Sequence, residues 1–168
     1  MRAVGIDPGT ACGYAWCDGN EPALHQSGVW DLSEGRHSGG GMRFLRLRQY
    51  LLELIQGSEL VPLRAGYKPV CAVFYEEVAR HRGVAAAHVY GGIVATIGSV
   101  CEERGVPYMG IPVKTIKKLA TGSGNAGKPQ MVLAAHGRWG LPLDASDDQA
   151  DALWVLAAGL AELGLCGG

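Results

Sequence analysis

The chain has 168 residues, of which 48% are hydrophobic and 26 are glycine, values that fit a compact protein with a real core and many tight turns. A formal net charge of −1 argues against a broadly basic surface, so any contact with a polyanion must come from local patches. Five cysteines (Cys12, Cys17, Cys71, Cys101 and Cys166) form an odd set without a C-x-x-C pair, which argues against zinc and for reduced thiols in a cytosol.

Arg2–Asp7 reads as a strand and lacks the apolar region of a signal peptide. Gly13–Trp16 and His25–Trp30 read as two further strands, separated by the turn residues Asp18-Gly19-Asn20. Asp31–Gly41 is a polar, glycine-rich loop, and Met42–Ile55 carries apolar residues at helical spacing with Arg43, Arg46 and Arg48 between them. Gly57–Pro69 is a connector, after which the apolar run Val70–Tyr75 predicts a buried central strand. Ala85–Arg104 predicts a helix rich in small residues, with Gly91-Gly92 in its middle; each glycine costs about 1 kcal/mol of helix propensity but admits a close neighbour. Val106–Ile111 is a short strand, and Pro112 opens a helix through Lys118. The Thr121–Gly127 loop leads to a helix from Lys128 to Trp139, and a last helix spans Asp147 to Leu163. No stretch reads as long enough to span a bilayer, so the expectation is one cytoplasmic domain without a membrane segment. An antiparallel meander followed by strands in crossover units predicts an α/β fold with a mixed five-stranded sheet flanked by helices.

Four acids stand out against this frame. Asp7 ends the first strand and is followed by Pro8-Gly9-Thr10; Glu76, with Glu77 beside it, ends the apolar run; Asp148 and Asp151 lie three apart at the start of the last helix. Each has an ordinary explanation alone. Asp-Pro-Gly is turn chemistry, a strand end is solvated, and Ser146 with Gln149 fits a capping box that acids in the first turn would complement. Jointly, carboxylates at strand ends and a helix start can converge, and hard oxygen donors suit magnesium or manganese. Two such ions about 3.5–4 Å apart are the usual apparatus of phosphodiester hydrolysis. Helix spacing permits either Asp148 or Asp147 to share a face with Asp151. Lys114, Lys117, Lys118 and Lys128, together with Arg80, His81 and Arg82, form local basic clusters suited to phosphate contact. His88 and His136, in apolar helices, read as packed residues.

These segments resemble the RuvC family of Holliday junction resolvases nearly end to end. Gly5-Ile6-Asp7-Pro8-Gly9-Thr10 matches the first-strand motif, Tyr75-Glu76-Glu77-Val78 the strand glutamate, and Asp148-Gln149-Ala150-Asp151-Ala152-Leu153 the final helix. Val113-Lys114 and Gly122-Ser123-Gly124-Asn125-Ala126-Gly127-Lys128 match the DNA-facing region. The stretch from His81-Arg82-Gly83 to Tyr90-Gly91-Gly92 is most similar to phage-encoded members. The resemblance implies a ribonuclease H-like fold and selects Glu76 over Glu77 and Asp148 over Asp147 as metal ligands with Asp7 and Asp151. It also implies a homodimer acting on four-way junctions; the small-residue face around Gly91-Gly92 is its expected contact, and the four acids are expected to hold two magnesium ions, with manganese as an alternative. The family pattern is broken where an aromatic residue follows the glutamate by three positions, because Ala79 stands there. Flaps and forks therefore join four-way junctions as expected substrates. Rival expectations are an actin-like or sugar-kinase-like ATPase, which shares the turn after the first strand, and an RNA–DNA hybrid nuclease.

Overall fold

The computed structural model describes residues 2–18, 25–37, 39–56, 70–80 and 83–164. Strands β1 (Arg2–Asp7), β2 (Ala11–Asp18) and β3 (His25–Asp31) are followed by α1 (Met42–Gln56), β4 (Val70–Glu77) and α2 (Val84–Arg104). Then come β5 (Tyr108–Pro112), α3 (Val113–Thr121), α4 (Lys128–Trp139) and α5 (Asp147–Glu162). The strands form one sheet in the order β3-β2-β1-β4-β5, antiparallel through the β1–β3 meander and parallel from β1 to β4 to β5. This is the mixed α/β sheet expected, although β1, not β4, holds its centre.

Strand alternation sorts the two sheet faces. Val4, Ile6, Cys12 and Val73 point to one side, where Leu47, Leu51 and Ile55 of α1 and Ile93, Ile97 and Val100 of α2 cover them. Ala3, Ala15, Cys17, Ala72 and Phe74 point to the other, against α5, with α3 and α4 behind through Ile116, Met131 and Ala135. The described thiols Cys12, Cys17 and Cys101 are buried.

Small side chains on the second face let α5 descend almost to backbone contact. A Cβ on Gly13 would stand 1.9 Å from the Asp148 carbonyl oxygen, and one on Gly5 would stand 2.5 Å from the Leu156 nitrogen. α5 touches all five strands, and residues 152–160 are buried without a break.

Several boundaries differ from the sequence expectation. β5 begins at Tyr108 because the Val106 N–H bonds back to Cys101 and closes the end of α2. Pro112 both ends β5 and caps the start of α3, which continues to Thr121, where Gly122 turns left-handed at φ 77°. His88 and His136 are exposed, not packed; His136 Nδ1 lies 2.8 Å from the Leu141 carbonyl oxygen. The Gly91-Gly92 pair divides its work. Gly92 makes room for the Phe44 ring of α1, whereas Gly91 faces open space. By length and composition α2 is apolar enough to cross a bilayer, against the expectation that no segment is, and much of it is left uncovered by the rest of the chain. The turn at 19–20 and the connector at 57–69 lie outside the described residues.

Gly13→Ala should lower unfolding free energy by about 2–3 kcal/mol in urea titration, because its Cβ meets rigid backbone. Gly137→Ala, inside α4 with nothing within 4 Å of its added Cβ, should raise stability by roughly 0.5–1 kcal/mol in the same assay.

Candidate metal centre

The alternation that buries Ala3 and Gly5 beneath α5 points Asp7 the same way, and the alternation that buries Ala72 and Phe74 does so for Glu76. Glu77 has the opposite parity and is exposed. Ile6 pairs with Tyr75 in the parallel ladder, so Asp7 and Glu76 end adjacent strands at one level. On the other side Asp7 pairs with Gly13, the residue on which the first turn of α5 rests. Asp148 and Asp151 are thereby brought over the ends of β1 and β4.

The electrostatics register this convergence. Burial raises the Asp7 carboxyl well above its ordinary range, and Glu76, Asp151 and Asp148 push it further, against a partial offset from Lys128. Burial likewise raises Glu76, opposed by Lys117, by a hydrogen bond with Asp7 and by Lys128. Asp151 is pushed up to about 7 by burial and then by Glu76. Carboxylates withdrawn from water and facing one another are costly unless shared protons or cations neutralise them.

The first turn of α5 separates the two aspartates that spacing left open. Asp147 forms an ion pair with Lys128, which holds its carboxyl below the usual range. Asp148 instead belongs to the cap: its N–H donates to Ser146 Oγ at 3.2 Å, and the Ser146 hydroxyl donates to Asp148 Oδ2 at 3.0 Å. Gln149 does not complete the expected capping box. Its amide donates to Ser27 Oγ at 2.9 Å and ties α5 to the edge strand β3.

Of the basic residues expected near the acids, Lys117 and Lys128 act on them directly. Lys114 and Lys118 are exposed on α3, and Arg80 is exposed beyond β4. His81 and Arg82 lie outside the described residues. The Pro8-Gly9-Thr10 turn forms one wall of a recess of about 400 Å³, closed by Val78, Ala85, Ala86, Val89 and Tyr90. Tyr90 is the site-neighbouring residue that periodicity did not single out; its only sequence signal is a lone hydroxyl-bearing aromatic in a helix of alanine, glycine and valine.

In donor chemistry the four carboxylates fit a hard divalent cation, which would offset the repulsion that raises Asp7, Glu76 and Asp151. They share an electrostatic field rather than a finished ligand sphere. Among the described residues no three His, Cys, Asp or Glu side chains stand in an arrangement that would already hold an ion.

No family profile matches the chain. A crossover junction endodeoxyribonuclease RuvC from Anaeromyxobacter sp. (strain Fw109-5) is 32% identical over 164 residues, covering 96% of this chain and 73% of that protein. The chain belongs to the RuvC family. A second RuvC of the same description, from Synechococcus sp. (strain WH7803), is 29% identical over 168 residues, covering 95% of this chain and 97% of its own length. Among solved structures, T. thermophilus RuvC in complex with Holliday junction substrate superposes with a TM-score of 0.77 at 22% identity, over 98% of this chain and 97% of that one. A further Thermus thermophilus RuvC structure gives 0.71 at 23% identity with the same coverage. These likenesses show the shared ribonuclease H-like fold. Membership in the RuvC family also displaces the ATPase reading of the Asp7-Pro8-Gly9-Thr10 turn.

The raised acids carry a stability signature of defined sign. Asp151 takes up its proton more readily folded than unfolded, so stability in metal-free buffer is lost as pH rises from about 4 through 7 and stays low above. Asp151→Asn should therefore be more stable than the parent at pH 8, by about 2–4 kcal/mol, with the difference vanishing near pH 4 in denaturant titrations at both values.

Proposed function

We propose that this chain is a divalent-metal-dependent endonuclease that resolves four-way DNA junctions. The convergence of Asp7, Glu76, Asp148 and Asp151 beneath α5, in a RuvC family chain, is the observation that carries the reading. Dependence on a divalent metal is consistent with the family; magnesium, with manganese as an alternative and two ions per site, is our assignment. Such ions supply charge neutralisation and an activated water for phosphodiester hydrolysis. Asp7, flanked by Glu76 on one strand and by α5 above, would hold the metal together with Glu76, Asp148 and Asp151.

The chain's other residues position the DNA. Lys117 and Lys128 border the acids and would hold phosphates flanking the scissile one, while Lys114, Lys118 and Arg80 extend the contact on exposed surfaces, without sequence readout. We extend the basic edge to His81 and Arg82 from the sequence. Ala79 is exposed and has no ring to stack, so no aromatic wedge enters a junction from this position. That favours flaps and forks as additional substrates. The buried free thiols Cys12 and Cys101 agree with work in the cytosol.

Paired nicks require two sites related by a two-fold axis, and we assign the dimer contact to α2. With Gly92 occupied by Phe44, the free face is the stripe of Val84, His88, Gly91 and Ala95, all exposed. These residues recur at helical spacing, and Gly91 and Ala95 leave room for a second helix.

The decisive assay incubates the protein with Mg²⁺ and end-labelled four-way junction, flap, linear duplex and RNA–DNA hybrid. Symmetric nicks at the junction are expected, and Asp7→Asn should slow them on the order of 10³-fold or more while leaving junction binding intact. Loss of binding together with cleavage would reject the metal assignment, and preference for the hybrid would reject the junction. Light scattering at micromolar concentration should give the mass of a dimer for the parent chain and of a monomer for Gly91→Arg; a monomeric parent would remove α2 from this role.

A further inference from the structure

The end of β4 is held by a residue that belongs to neither the acids nor the basic clusters. The Tyr90 hydroxyl donates to the Glu76 carbonyl oxygen at 3.1 Å and accepts from the Val78 N–H at 3.0 Å. It thus clasps the backbone on both sides of Glu77. The clasp falls at the last residue pair of the β4–β5 ladder, Glu77 with Pro112. The ring lines the recess beside the Pro8-Gly9-Thr10 turn and is partly buried, so it is not a core aromatic held by packing alone.

Resting on the metal-centre reading above, we propose that Tyr90 is a positioning residue that fixes the Glu76 backbone, and with it the carboxylate, for metal binding. It does so from α2, one residue before Gly91, so the helix assigned to subunit contact is bonded directly to the backbone of a metal ligand. Without the clasp, the last residue pair of β4 and β5 frays and Glu76 samples orientations in which it faces Asp7 poorly. Tyr90 touches neither DNA nor metal in this role.

Tyr90→Phe keeps the ring and deletes the hydroxyl. Manganese binding to the intact protein, followed by electron paramagnetic resonance, should weaken about 5- to 10-fold, the loss of roughly one net hydrogen bond. Junction cleavage at limiting metal should fall by a similar factor and recover as metal is raised, with metal-free junction binding unchanged. Tyr90→Leu, which also lacks the hydroxyl, should match Phe. Unaltered manganese affinity and an unaltered metal dependence of cleavage, with only a lower melting temperature, would overturn the proposal and leave Tyr90 a packing residue. Asp7→Asn separates this from the larger reading. If the parent and Asp7→Asn bind manganese alike, the metal centre itself fails, and the role of Tyr90 falls with it.

Discussion

The near-contact of α5 with the sheet is the constraint from which the rest of this molecule follows. An ordinary helix rides on a sheet with a layer of side chains between them. Here Gly5 and Gly13 remove that layer, and the helix backbone at Asp148, Ala152 and Leu156 comes down onto β1 and β2. Two carboxylates on the first turns of α5 thereby reach two at the ends of β1 and β4. A side chain of any size at position 5 or 13 would lift the helix and pull the four acids apart, however well each was preserved. The Gln149–Ser27 bond and the Ser146 cap then fix the rotation and start of α5.

That closeness is bought with electrostatic strain. Asp7, Glu76 and Asp151 are all harder to ionise than free carboxylates, chiefly through loss of water and then through one another. Lys128 softens the field but is itself committed to Asp147, and Lys117 acts on Glu76 alone among the three. The protein's own cations leave the cluster under-neutralised, which is the condition in which added divalent charge has most effect.

Much of this was legible in the sequence because it depends on period and position. A two-residue period in β1 and β4 ends at Asp7 and Glu76, and in the structure the same period sends Glu77 the other way, a choice the sequence made only through family resemblance. Asp147 is paired with Lys128, nineteen positions away, a tertiary partner that local spacing cannot reveal. The capping box failed for a related reason: Gln149 found Ser27, on a distant strand, in place of its own helix end. The close approach at Gly5 and Gly13 was not legible, since sequence carries no mark of what will approach from above. Tyr90 was silent because its partners are backbone atoms. Gly91-Gly92 read as one motif and proved to be two, one glycine facing the protein's own α1 and the other facing outward.

The four acids are spread along the chain so that half of them wait for its last described helix. During synthesis β1 and β4 are complete while Asp148 and Asp151 are still inside the ribosome, and the residues of α5 that cover the sheet follow later still. No partial chain up to α4 contains the centre, nor the apolar cover that withdraws Asp7 and Glu76 from water. A nascent fragment would therefore lack the four-acid cluster altogether. The order of elements makes the cluster contingent on completion of the fold.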